Sequence, residues 1–198
     1  LMHDVYQKDG VIYLPQALTT ESLDLAHAAY QWSLNHPGPG ASDIASKNPG
    51  TFYQDLANPD AFTTYDTLIH HADIRAILQL LFTGQHAWFM YEQVFKKQGG
   101  EIRRTPWHQD TPYLPVRGLD LAVLWISFDA LDAYGTLEFV ARSHRQILYD
   151  GSAFDPNDDT VGLYNKILWT DVVNNSFYAC YALFGFESPE DVLAAGHE

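Results

Sequence analysis

Apolar positions change their period once along this chain. Up to Leu81 they recur at the three-and-four spacing of helices, and from Ala87 they alternate and become aromatic, as half-buried strands do. Val11 to Leu14 is a short β-rich run closed by Pro15, after which Thr19 or Thr20 can cap a helix that carries Glu21 in its first turn. Leu23, Ala26, Tyr30 and Leu34 then form one stripe expected to be buried. From Asn35 to Gly50 six Pro and Gly residues predict a long loop. Phe62 to Phe82 reads as a second helical region with Leu68, Ile74, Ile77, Leu78 and Leu81 on its apolar face. Within it His70 and His71 are adjacent and so diverge, which makes them a poor chelate and candidates for surface or capping roles. Strands are expected at 87–97, 120–128 and 136–141. Helices followed by strands in a short chain predict an α+β fold, with helices buttressing a β-sandwich.

Length and composition narrow this further. A chain of 198 residues with 46% hydrophobic content is long enough for one domain, spanning 1–198, with a substantial core. It has no apolar run long enough for a bilayer and no basic segment leading into an apolar stretch at its start, so a soluble, cytoplasmic protein is expected. The formal charge of −14 argues against nucleic-acid or anionic-membrane partners, because neutralising phosphate is the main attraction at such surfaces. Acidity of this kind serves solubility. Cys180 is the lone cysteine, so no internal disulfide can form.

The candidate chemistry lies in Thr105-Pro106-Trp107-His108-Gln109-Asp110-Thr111-Pro112-Tyr113. In extended backbone, residues two apart share a face, so His108 and Asp110 can grip one metal ion. An imidazole and a carboxylate, completed by a second His from elsewhere, form the facial triad of non-haem Fe(II) oxygenases, which leaves positions open for cosubstrate and O₂. By itself the H-x-D spacing is common, and a strand-end His bonded to a loop carboxylate is the plain alternative.

Its surroundings are more specific. Trp88 to Gly100, the Trp107-His108-Gln109-Asp110 segment, Leu121 to Ala130, and Gly135 to Arg145 follow one another in an order that resembles the phytanoyl-CoA dioxygenase family of Fe(II)/2-oxoglutarate oxygenases. Asp9-Gly10-Val11-Ile12-Tyr13-Leu14-Pro15 is similar to that family's opening, so the resemblance runs from about residue 4 to about residue 145. Ser143-His144-Arg145 matches the end of the family's Pro-Gly-Ser-His signature, with Ala141 and Arg142 in place of Pro-Gly. The resemblance implies a double-stranded β-helix core, jelly-roll and cupin-like, behind N-terminal helices. It implies His108 and Asp110 as catalytic metal ligands, Fe(II) as cofactor, and 2-oxoglutarate and O₂ as cosubstrates. Met90 and Trp125 fall where the family lines its 2-oxoglutarate pocket, although ordinary core is the competing reading of both. His144 is implied to be structural. Asp110 itself points to oxygen transfer, since related halogenases carry a small residue there.

A small-molecule substrate is the implied partner, and Arg103, Arg104, Trp107, Tyr113 and Arg117 around the motif are candidates to meet it. Ser188-Pro189-Glu190-Asp191-Val192-Leu193 is similar to the family's entry into the strand that delivers the distal His. His197 follows closely, either as that ligand or as the last His before it. The expectation is that the C-terminal strands and the cosubstrate-binding Arg lie beyond Glu198, and that this form is catalytically incompetent. Two other functions are open: a non-catalytic β-sandwich that binds a ligand or protein, and a cupin-like metalloenzyme that does not use 2-oxoglutarate.

Overall fold

The computed structural model describes residues 2–43, 50–84, 86–99, 105, 108–110, 114, 120–131 and 135–145. The chain divides into two compact units, one made of Leu1–Tyr13 with Arg104–Glu198, the other of Leu14–Arg103.

In the Leu14–Arg103 unit, helix α2 (Thr20–Asn35) starts where the sequence places it. Thr19 is extended and its hydroxyl accepts from the Ser22 amide, which satisfies one of the orphan donors of the first turn. The helix ends at His36, whose N–H reaches back to the Ser33 carbonyl, and Pro37 follows. Its buried face is Ser22, Ala26, Ala29 and Ser33, one position away from the expected stripe, and Leu23 is left 40% exposed. The reason is polar. Ser22 Oγ donates to Asp73 Oδ2 at 2.6 Å and Ser33 Oγ shares a hydrogen bond with Tyr65 Oη at 3.1 Å, so the small hydroxyl residues turn inward. Small side chains on this face also let α2 approach α3 (Phe62–Ile69) closely.

The helical region expected over Phe62 to Phe82 is two helices, α3 and α4 (Ala72–Leu81). His70 closes the first, and His71 opens the second by accepting from the Asp73 amide through its ring Nδ1 at 3.2 Å. Capping is thus the role the pair plays. Leu68, Ile74, Ile77 and Leu81 are buried as predicted, with Leu78 half-buried.

The sheet of this unit has three antiparallel strands in the order β1 (Ser42–Asp43), β2 (Thr51–Leu56), β3 (Gln93–Gln98). The register pairs Thr51 with Gln98 and Asp55 with Val94, so Asp55 and Val94 share a buried face. A carboxylate in that position needs donors. Gly38 and Leu56 amides supply them to its two oxygens, each at 2.8 Å. The strand expected at 87–97 begins only at Gln93, and β2 falls in a stretch the apolar pattern had left unassigned.

In the other unit, helix α1 (Met2–Asp9) is closed by Gly10, which takes φ +79° and donates its N–H to the Tyr6 carbonyl at 2.8 Å, the single-bond left-handed cap. The 3-10 turn Ser143–Arg145 covers that end of the helix. The strands expected at 120–128 and 136–141 do not form among the described residues, where Ala122 alone makes a bridge. Aromatic and β-branched runs report a fit to a pleated surface and do not by themselves make a strand. Val123, Leu124 and Trp125 are 48%, 46% and 42% exposed.

Candidate metal centre

His108, Gln109 and Asp110 alternate in burial as an extended segment should. Gln109 is buried, and its two neighbours are only partly covered. The consequence is that the His and Asp side chains leave the backbone on one side and converge. His108 Nε2 lies 3.1 Å from Asp110 Oδ1, with the two side chains 19% and 30% exposed. Two donors held at about 2.1 Å on adjacent vertices of an octahedral ion would stand about 3.0 Å apart, so the pair is spaced to fill two neighbouring positions. The donor set fits iron: one neutral nitrogen and one anionic oxygen, the types found in the facial triad. No group of three or more His, Cys, Asp or Glu side chains arranged to hold a metal occurs among the described residues.

Behind the pair, Gln109 runs the opposite way. Its Nε2 donates to the Ser143 carbonyl at 3.5 Å, and both residues are buried. Ser143 is held in turn by its own hydroxyl, which donates to the Val140 carbonyl at 2.6 Å, and by its amide on the same oxygen. The next residue, His144, is 5% exposed and its Nε2 meets the Gln7 carbonyl at 3.1 Å. Burial pushes its pKa below the usual imidazole value, with the Gln7 bond acting the other way. Arg145 Nη2 donates to the same carbonyl, and the Arg142 amide donates to the Asp9 carbonyl at 3.0 Å. Three carbonyls in the last turn of α1 therefore have donors from Gly10 or from this turn, and a cation sits at the negative end of the helix dipole.

The turn also explains two motif positions. Gly10 is required by contact: a Cβ there would sit 2.3 Å from His144 Nδ1. Arg142, which stands where the family signature has Gly, adopts φ +70°, the left-handed backbone that favours Gly. Its Nε is 3.8 Å from Asp9 Oδ1 across a largely exposed surface.

Trp125 belongs to the same unit as the pair, and Met90 is half-buried in the Leu14–Arg103 unit. Arg103, Arg104, Trp107, Tyr113, Arg117, Cys180, the 188–193 segment and His197 lie outside the described residues. What sequence reasoning missed is α1 as part of this site. Its signal was present in Gly10, a helix-ending residue after an eight-residue stretch, but the groups that hold the helix come from far along the chain.

A family model described as phytanoyl-CoA dioxygenase matches residues 6–173. The match continues beyond Arg145, where the quoted motifs end, and stops short of Ser188. No curated protein and no solved structure matches the chain.

Proposed function

Because the chain belongs to the phytanoyl-CoA dioxygenase family, whose members are generally Fe(II)/2-oxoglutarate-dependent oxygenases, we propose that it hydroxylates a small organic substrate while 2-oxoglutarate is decarboxylated to succinate. The observation that supports this most is the 3.1 Å approach of His108 Nε2 and Asp110 Oδ1 inside the matched region. His108 and Asp110 are two of the iron ligands in this reading, and the distal His and the Arg for the cosubstrate's far carboxylate come from residues beyond those described. A jelly-roll core, the family's cupin-like architecture, would carry them.

The chemistry that Fe(II) supplies when bound is the activation of O₂, coupled to oxidation of 2-oxoglutarate and then of the substrate C–H bond. The chain's own residues hold and orient. His108 offers Nε2 as a neutral donor, and Asp110 supplies the negative charge that offsets the cation. Trp125, in the same unit as the pair, is assigned to a wall of the 2-oxoglutarate pocket, where apolar surface keeps water from the reacting groups.

The test is succinate formation from 2-oxoglutarate with Fe(II) and O₂, in the full-length protein and in its Asp110→Ala variant. Turnover that disappears in the variant supports the assignment; equal turnover in both defeats it. Metal binding without any consumption of 2-oxoglutarate would indicate the cupin-like metalloenzyme instead, and neither activity would indicate the non-catalytic binding protein.

A further inference from the structure

We propose that Gln109 is a positioning residue for the metal ligands on either side of it, and that it works by tying their backbone to the turn clasped on α1. The proposal rests on the assignment of His108 and Asp110 as ligands. Each link is visible. His108 and Asp110 point to one side of an extended segment, and Gln109 points to the other, where it is 6% exposed and donates to the Ser143 carbonyl. The Ser143 carbonyl cannot drift, because the same residue is bonded to Val140 through both its amide and its hydroxyl. The following residue, His144, is wedged between Gly10 and the Gln7 carbonyl at the end of α1.

Two ligands one residue apart share the backbone between them, so a rotation of that backbone moves both donor atoms at once. A surface loop would hold their 3.1 Å separation poorly. Anchoring the central residue into a buried turn restrains this rotation without contact between Gln109 and the metal. Groups that orient ligands from behind typically change metal affinity by about 10- to 100-fold when removed.

The experiment uses Co(II) as the probe, with the 198-residue chain, Gln109→Met and Gln109→Glu. Met keeps the length and volume of Gln and loses its donor, so it can fill the same space. Glu keeps the shape and places a carboxylate against the Ser143 carbonyl. Circular dichroism of the metal-free proteins identifies which variants fold, and Met serves if Glu does not. The expected result for a folded variant is Co(II) binding weakened by about tenfold, with an altered ligand-field absorption spectrum, because the donors no longer hold their angle. A folded Gln109→Met with unchanged affinity and an unchanged spectrum overturns the proposal while leaving the ligand assignment intact. Failure of the parent chain to bind Co(II), or binding that survives Asp110→Ala at full strength, overturns the ligand assignment and this proposal with it.

Discussion

Replacing Gly10 by Ala tests the clasp between α1 and the 143–145 turn most severely, because two separate costs fall on one methyl group. The first is backbone. Gly10 holds φ +79°, and an L-residue in that region costs about 1–2 kcal/mol relative to Gly. The second is contact. The new Cβ would lie 2.3 Å from His144 Nδ1, 2.7 Å from Cγ and 2.8 Å from Cε1, separations that real Cβ atoms do not show. The obstacle is a buried ring, so it must move as a whole. Moving it loosens the bond to the Gln7 carbonyl, worth about 1 kcal/mol, and overpacks its surroundings by about 1–3 kcal/mol. The expected destabilisation is about 3–6 kcal/mol. Gly99 is the control: it has φ +65° and nothing within 4 Å of an added Cβ, so Gly99→Ala should carry only the backbone cost of about 1–2 kcal/mol. Urea denaturation followed by circular dichroism gives both values. In a His144→Ala background the contact cost of Gly10→Ala should vanish, leaving a coupling of about 2 kcal/mol or more between the two positions. Equal losses for Gly10→Ala and Gly99→Ala, or no coupling to His144, would refute the reasoning.

Three further outcomes are expected. Asp73 is held at a pKa of about 2, first by the Ser22 hydroxyl and then by the Thr19 amide and hydroxyl, against an ordinary 3.8. A depressed carboxylate contributes stability that is complete above the unfolded value and is lost as pH falls from about 3.8 through about 2. Urea midpoints across that window should fall less steeply in Asp73→Asn. His144 is also depressed, chiefly by burial, so the unfolded chain takes up its proton first. Stability should decline as pH falls through the ordinary imidazole value of 6.5, and His144→Gln should lack that part of the decline. Arg142→Gly should raise stability by about 0.5–1 kcal/mol, since it relieves a φ of +70° and gives up only an exposed 3.8 Å ion pair; a lower urea midpoint would contradict this.

What could be read from the sequence was local. The His108–Asp110 juxtaposition follows from the two-residue period of extended backbone, and the roles of Thr19 and His71 follow from where helices begin. Leu68, Ile74, Ile77 and Leu81 are buried because helical periodicity and burial agree there. Periodicity failed on α2, where the apolar stripe through Leu23 lost to hydroxyls that bond Asp73 and Tyr65. Those partners are 51 and 32 residues away, beyond the reach of any local pattern. The same holds more strongly for α1. Eight residues are too few for a stable isolated helix, and its supports, Leu121 for the Tyr6 hydroxyl and His144 for the Gln7 carbonyl, come 115 and 137 positions later. Gln109 was legible as a residue behind the ligands, but that it reaches Ser143 could be learned only from the fold. The runs at 120–128 and 136–141 carried strand composition, and composition alone does not decide whether a strand forms.

The most direct test of His108 and Asp110 as an iron half-site is anaerobic Fe(II) binding by the unmodified chain beside His108→Ala and Asp110→Ala. One Fe(II) per chain is expected, with each substitution weakening binding by at least tenfold, since each removes one of two adjacent donors and Asp110→Ala also removes the negative charge. Fe(II) bound with equal affinity by all three proteins would contradict the assignment and place the metal elsewhere.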